Sequence, residues 1–180
     1  MAAAGPLLYG GTCFSPAGPS LIHTVQRLLV YSCILVGYDG SEASRLAVEK
    51  AVELARRLGA RLLVATVLPP PTVFLGEMLI PEIPAATELE KPAREKLEAL
   101  VREIREAAGL ENVEPVLLVG DPAEELVNFA ESNGCDLIVV GRRGRGGLER
   151  LILGSVSSKI ISISHRIDVL VVETASAKKS

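Results

Sequence analysis

The fold class is predicted most clearly by the stretch CILVGYDGSEASRLAVEKAVELARRLGARLLVATVL (33–68). Two apolar runs, CILVGY (33–38) and ARLLVATVL (60–68), flank a segment whose apolar residues recur at helical spacing. Ser41 is the expected N-cap of that helix, and Gly59 stands where a left-handed C-cap would end it. Because both runs are apolar throughout rather than alternating, they predict a strand–helix–strand unit with a buried, parallel sheet.

Three later apolar runs extend this alternation. VEPVLLVG (113–120), CDLIVVG (135–141) and DVLVVE (168–173) predict the third, fourth and fifth strands. Since crossovers between parallel strands are right-handed, five strands alternating with four helices indicate an α/β fold. We therefore expect a doubly wound parallel five-stranded sheet with helices on both faces, a Rossmann-like sandwich whose ligands bind beyond the carboxyl ends of the strands.

The remaining helices also carry start and stop signals. A long amphipathic helix should end near Gly109. Asp121 is the expected cap of the next helix, Pro122 its first residue, and Glu124 the partner that completes a capping box. The last helix is predicted from about Ser155 to His165. Between the second strand and the long helix, PPPTVFLGEMLIPEIP (69–84) holds five of the eleven prolines and predicts a long loop or lid.

Both ends of the chain differ in composition from its centre. Residues 1–32 are rich in Gly, Pro, Ala and Ser and predict a flexible extension. A signal peptide is not expected there, because no basic side chain precedes Arg27. We expect one ordered domain to occupy 33–173, a flexible tail to follow at 174–180, and the native chain to start at Val30.

The composition excludes several classes of protein. Apolar residues make up 48% and charged residues 23%, and 19 basic against 22 acidic residues give a net charge of −3. This mild acidity gives no case for a nucleic-acid or membrane partner. No apolar run reaches the roughly 18–20 residues that span a bilayer. We expect a soluble, cytoplasmic protein.

The cysteines and histidines predict neither cross-links nor metal sites. Cys13, Cys33 and Cys135 are odd in number and too widely spaced for zinc ligation, so a disulfide framework is improbable and a reducing compartment is expected. Cys135 is interpreted as a small buried apolar residue. With only His23 and His165, a histidine-rich metal site is not expected.

The loop after the fourth strand carries the strongest functional signal. It reads GRRGRGG (141–147), and Gly154-Ser155 opens the next helix. The glycines leave backbone N–H groups accessible to an anion, and the helix start adds further donors and a positive dipole end. Four arginines against one glutamate give residues 142–150 a charge of +3. The alternative is a flexible surface loop with solvated arginines and Ser155 as a plain N-cap.

The spacing Gly141-x2-Gly144-x9-Gly154-Ser155 is similar to the nucleotide-binding pattern of the universal stress protein family. ILVGYDGSEAS (34–44), VGDPAEELVNFA (119–130) and CDLIVVGRRGRGGLERLILGSVSSKI (135–160) continue the resemblance over roughly 30–173. The resemblance to the ATP-binding branch implies strand order 3-2-1-4-5. This chain differs from the family at Ser158-Lys159, where relatives often carry an acidic residue, and at Asp168, where they usually have proline.

The resemblance also implies a ligand and its contacts. The ligand is an adenine nucleotide, ATP, with or without Mg²⁺. Asp39 would lie near the adenosine, and Val67 would offer backbone contacts to adenine. Ribose and phosphates would be held by a set of loop and helix-start residues: Gly141, Arg142, Gly144, Gly154, Ser155, Val156 and Ser157. The last strand (168–173) would be a sheet edge whose apolar ladder pairs two copies into a homodimer.

Other interpretations of the same residues have less support. Asp39 could instead form a simple turn with Gly40. A receiver domain would need further carboxylates and a lysine after the fifth strand, and neither is evident. A dinucleotide-binding domain would need G-x-G-x-x-G after the first strand, and a P-loop NTPase would need GK[ST] after a glycine-rich loop; the sequence has neither motif. No general base is evident for catalysis. We therefore expect a nucleotide-binding stress-response regulator and not an enzyme; the alternatives are a slow ATPase or an interaction module that does not bind nucleotide.

Overall fold

Eleven regular elements were found in a computed structural model of the chain, which describes residues 31–70, 72–75, 78–81, 84–142 and 153–173. In chain order they are β1 (Cys33–Gly37), α1 (Glu42–Leu58), β2 (Arg61–Leu68), β3 (Thr72–Leu75), β4 (Met78–Pro81), α2 (Pro84–Ala108), β5 (Val113–Val119), α3 (Pro122–Ser132), β6 (Leu137–Gly141), α4 (Ser155–Ile163) and β7 (Asp168–Val172). The expected extension, native start and tail lie outside the described residues, apart from residues 31 and 32.

The main sheet has five strands in the order β5-β2-β1-β6-β7. Every neighbouring pair is parallel, and Val36 of β1 pairs with Val64 on one side and Val139 on the other. Counted among these five strands, the order is 3-2-1-4-5. The predicted doubly wound α/β fold is therefore confirmed.

Helices cover both faces of the sheet, as continuous apolar strands require. On one face Ile34 and Val36 pack with residues of α1 and α2, while Cys33 and Leu35 pack on the other with α3 and α4. The face of α1 that meets the sheet is built from alanines, with Ala47, Ala51 and Ala55 all 0% exposed. These small side chains let the helix approach the strands closely.

The helix caps follow the sequence signals. The Ser41 hydroxyl accepts a hydrogen bond from the Ser44 N–H (3.2 Å), and Gly59 ends α1 at φ 68°, in the left-handed region. Asp121 Oδ1 accepts from the N–H groups of Ala123 (3.0 Å) and Glu124 (3.1 Å). The Glu124 carboxylate accepts from Lys159 (2.8 Å) instead of completing the predicted capping box.

The proline-rich stretch is not a loop throughout. β3 and β4 form an antiparallel hairpin within it, with Thr72 opposite Pro81 and Leu75 opposite Met78. The interiors of these strands contain no proline, since Pro69 and Pro70 precede β3 and Pro81 ends β4. The loop expectation was wrong here because the prolines bound the strands and do not interrupt them.

The structure contains a disulfide, so the expectation that there would be none was also wrong. Cys33 and Cys135 are joined through their sulfur atoms, with Cα atoms 4.4 Å apart and a sequence separation of 102. Their segments meet because β1 and β6 are neighbours in the sheet, so that their amino ends lie side by side. Each cysteine is 5% exposed, which confirms the predicted burial of Cys135.

Candidate functional site

The candidate residues gather at the carboxyl ends of three neighbouring strands. Asp39 follows β1, Val67 lies near the end of β2, and Gly141-Arg142 stands at the end of β6. Since these strands are adjacent and parallel, their ends share one edge of the sheet. We call it the carboxyl edge.

The turn after β1 is held to β2 by two hydrogen bonds. The Tyr38 N–H donates to the carbonyl of Ala65 (2.7 Å), and the Thr66 hydroxyl donates to the carbonyl of Tyr38 (2.9 Å). Asp39 Oδ1 then accepts from the Ser41 N–H (2.9 Å). One carboxylate oxygen of Asp39 thus shapes the turn into α1, which agrees with the turn role left open by the sequence.

The two ends of the glycine-rich loop are fastened to each other. The Gly154 N–H donates to the carbonyl of Arg142 (2.8 Å), and the Ser157 hydroxyl donates to the carbonyls of Gly154 (3.0 Å) and Arg142 (3.2 Å). Ser157 is 2% exposed, so its hydroxyl braces the loop from inside. Gly144 lies within 143–152, outside the described residues.

Arg142 also connects the loop to the last strand. Its N–H donates to the carbonyl of Val172 (2.8 Å), and its guanidinium forms an ion pair with the Glu173 carboxylate. The Arg142 side chain is only 25% exposed, so it is not the largely solvated arginine that the sequence suggested. Glu173 was missed. The available signal was that the fourth and fifth strands are neighbours, which places their ends together.

The N-terminus of α4 has no side-chain cap. Its N-cap is Gly154, with φ −61° and ψ 154°, and no side chain among the described residues caps the N–H groups of the first turn. Ser155 is exposed and is the first helical residue, which rules out the alternative in which it is the N-cap. Val156 is half-buried and packs against the core on the α3–α4 face. The first-turn N–H groups can therefore donate hydrogen bonds to an external anion, which the positive end of the helix dipole would also attract.

Gly141 has a packing role that the sequence did not reveal. A Cβ on Gly141 would lie 2.7 Å from the backbone carbonyl carbon of Ala43 and 2.8 Å from its oxygen. The end of β6 therefore approaches the first turn of α1 too closely for any side chain.

Lys159, in the middle of α4, pairs with the start of α3. Its Nζ lies 2.8 Å from Glu124 Oε1 and 3.2 Å from Asp121 Oδ1. The hydrogen bond to Glu124, followed by the one to Asp121, raises the pKa of Lys159. The pKa of Asp121 is lowered, mainly by the hydrogen bond that its carboxylate accepts from the backbone N–H of Glu124. The start of α3 already has a carboxylate cap. The start of α4, by contrast, has no side-chain cap from the part of the chain that the structure describes.

The described residues contain neither a metal-binding cluster nor a membrane-spanning helix. No cluster of three or more His, Cys, Asp or Glu side chains there could hold a metal ion. In the same part of the chain, no helix is long and apolar enough to cross a membrane.

Comparison with known proteins decides the family. The model of the universal stress protein family matches residues 31–173, which span the whole sheet. The chain belongs to the universal stress protein family. A universal stress protein of Thermus aquaticus is 35% identical over 133 residues, covering 74% of this chain and 93% of that protein.

Solved universal stress proteins share the fold. One, crystallised in complex with cAMP, is 31% identical, with a TM-score of 0.60 over 81% of this chain and 99% of its own. Another, from Archaeoglobus fulgidus in complex with dAMP, is 25% identical, with a TM-score of 0.56 over 80% of this chain and 99% of its own. The family and the fold predicted from the sequence are thus confirmed.

Proposed function

We propose that this universal stress protein binds an adenine nucleotide, ATP, at the carboxyl edge and acts as a regulatory homodimer in the stress response. The observation that carries the proposal is the start of α4, whose first-turn N–H groups have no side-chain cap. The hydrogen bond from Gly154 to Arg142 fixes that helix start beside the end of β6. A helix start held in this way suits a phosphate group.

The described residues fit the groups of a nucleotide. The N–H groups of Ser155 and Val156 would face the phosphates, with the Arg142 guanidinium supplying positive charge. Asp39 and Val67, at the ends of β1 and β2, would take the adenosine. Gly144 would contribute a backbone N–H, and any Mg²⁺ would be bound by the phosphates of the nucleotide. Gly141 would act through close packing, and Ser157 by bracing the loop.

The class of ligand is supported by two neighbours whose structures hold cAMP and dAMP. Both ligands contain adenine and one phosphate. ATP is the more specific ligand that we propose, and the protein would encounter it in the cytoplasm. The hairpin β3–β4 follows β2 directly, and its role as a lid over the adenine remains a prediction.

Binding is favoured over hydrolysis because two of the described carboxylates at the carboxyl edge are already engaged. Asp121 caps α3 and pairs with Lys159, and Glu173 pairs with Arg142. A hydrolase would need a carboxylate or imidazole placed to activate water. The slow ATPase is tested by measuring phosphate release with and without Mg²⁺.

The homodimer is supported by the last strand. Among the described strands, β7 pairs with β6 alone and lies at one end of the sheet. Its residues Val169–Val172 are half-buried and apolar. Such an edge tends to pair with another strand, and two copies can meet there about a twofold axis. Light scattering that shows a monomer at all concentrations would contradict the dimer.

The nucleotide is identified by mass spectrometry of ligand released from freshly purified protein, followed by calorimetric titration of the stripped protein. We expect an adenine nucleotide in the extract and saturable binding of ATP. An extract without nucleotide, together with no heat of binding for ATP, AMP or cAMP, would favour the interaction module instead.

A further inference from the structure

We propose that Cys33 and Cys135 form a thiol–disulfide exchange site at the amino edge of the sheet, responsive to small-molecule disulfides and thiols. This edge is opposite to the carboxyl edge, so the inference does not depend on nucleotide binding. The two sulfurs are bonded in the structure, across β1 and the segment that leads into β6.

A positive charge lies beside one of the two sulfurs. The Arg61 guanidinium Nη2 is 3.8 Å from Cys33 Sγ, because Arg61 pairs with Cys33 at the start of β2. A guanidinium at this distance stabilises a thiolate over a thiol. Cys33 is therefore the sulfur that exchanges first, and Cys135 is the one that resolves the intermediate.

A carboxylate at the same edge is held by other donors. Asp136 Oδ2 accepts from the Ser32 N–H (2.7 Å), the Ser32 hydroxyl (2.7 Å) and the Cys33 N–H (3.1 Å). Burial opposes ionisation of Asp136, but these hydrogen bonds outweigh it and lower the pKa of the carboxyl. The Asp136 carboxylate is thus already hydrogen-bonded to Ser32 and to the N–H of Cys33.

These hydrogen bonds would hold the two segments together with the disulfide open. Besides the Asp136 side chain, the Asp136 N–H donates to the carbonyl of Cys33 (2.9 Å). Ile34 pairs with Leu137 just beyond. Because the strands stay paired without the sulfur–sulfur bond, the dithiol form keeps the fold. Opening and closing can then be reversible.

The pair is near the surface although each cysteine is 5% exposed. The neighbouring residues Ser32, Gly134 and Asp136 are all exposed. A small opening at the ends of β1 and β6 would expose the sulfurs, whereas a site in the middle of these strands would require the sheet to separate.

The exchange balances with a low-molecular-weight disulfide, RSSR, as oxidant. The Cys33 thiolate attacks one sulfur of RSSR, forming a Cys33–SR mixed disulfide and releasing RS⁻. The Cys135 thiolate then attacks the Cys33 sulfur, forming the protein disulfide and releasing the second RS⁻. The protons of the two protein thiols pass to water or to the released thiolates. A small thiol reverses both steps and reduces the bond.

The test uses the full chain with Cys13→Ser, so that only this pair is read. The protein is equilibrated in mixtures of reduced and oxidised glutathione, quenched with an alkylating reagent and weighed by mass spectrometry, while circular dichroism follows the fold. We expect folded dithiol and disulfide forms to interconvert. Cysteines that stay reduced at every ratio, or a bond that opens only when the protein unfolds, would overturn the proposal.

Two sets of variants test the roles of the cysteines and of Arg61. Cys135→Ser should accumulate the glutathione adduct on Cys33, and Cys33→Ser should form its adduct more slowly. Arg61→Gln should make the Cys33 thiol less acidic and slow disulfide formation about three- to tenfold. The smaller thiolate fraction slows the attack, and the higher nucleophilicity of the remaining thiolate offsets only part of this loss. The exposed Arg57→Gln is the matched control. Equal rates for Arg61→Gln and the control would contradict the role of Arg61.

Discussion

The Gly154 amide nitrogen lies 2.8 Å from the Arg142 carbonyl oxygen and donates a hydrogen bond to it. This bond closes the glycine-rich loop at its base and joins the end of β6 to the start of α4. The Arg142 N–H bonds to Val172, so the same residue also holds β7. The main chain of one residue thus connects the proposed phosphate site to the proposed dimer edge.

Arg142→Ala should weaken ATP binding only in part. The substitution keeps the backbone bonds to Gly154 and Val172, so the helix start remains in place. The loss should be about fivefold or less, as expected for a partly exposed charge, and it should shrink at high salt. Calorimetric titration at low and high salt measures both effects. Arg57→Ala on α1 is the control, and complete loss of binding would show that the side chain is essential.

Glu173→Gln should strengthen ATP binding. The Glu173 carboxylate competes with phosphate for the Arg142 guanidinium, so its removal releases that charge. Because the pair is partly exposed, the gain should be about fivefold at most. Titration of Glu53→Gln, which removes a carboxylate on α1, gives the baseline. Weaker binding by Glu173→Gln would mean that the ion pair helps to position Arg142.

Gly141→Ala should destabilise the fold by about 1–3 kcal/mol, because the new methyl group would overlap the Ala43 backbone. Urea unfolding measures the loss. The comparison is Gly37→Ala at the end of β1, where the Cβ would lie 3.1 Å from a terminal carbon of the Leu126 side chain. That side chain can move, so the smaller loss is expected for Gly37→Ala; the reverse order would contradict the packing role.

Asp136 should stabilise the protein at neutral pH and lose this effect in acid. Its folded pKa is lowered below the ordinary 3.8, so the stabilisation is present above that value and disappears as the pH falls through the folded pKa. The free-energy difference between wild type and Asp136→Asn, measured by urea unfolding, should therefore be large at about pH 7 and smaller at about pH 3. A difference independent of pH would exclude a role for the charge.

The parts of the fold predicted from sequence are those set by local signals. The caps at Ser41, Gly59 and Asp121 depend on a few neighbouring residues, and the apolar strands fix a sheet that is covered on both faces. The hairpin was missed because prolines were taken to break the whole stretch 69–84. Their positions at the strand ends were the relevant signal.

The features that sequence could not supply depend on contacts between distant segments. The Cys33–Cys135 bond joins residues 102 apart, and the Arg142–Glu173 pair needs the ends of β6 and β7 together. For Gly141, the resemblance implied a ligand role, while the structure shows close contact with Ala43. A glycine does not reveal whether a ligand or another backbone requires the space.

Nucleotide binding at the carboxyl edge is tested by thermal unfolding with and without millimolar ATP, in wild type and Gly154→Val. A ligand at about 100 times its Kd stabilises the folded state by roughly 2.7 kcal/mol, which should raise the Tm of wild type by at least a few degrees. Gly154 has an extended backbone that valine can adopt, so the variant should fold, but its side chain should block the phosphates and abolish the shift. No shift in wild type, with or without Mg²⁺, would contradict nucleotide binding at the carboxyl edge.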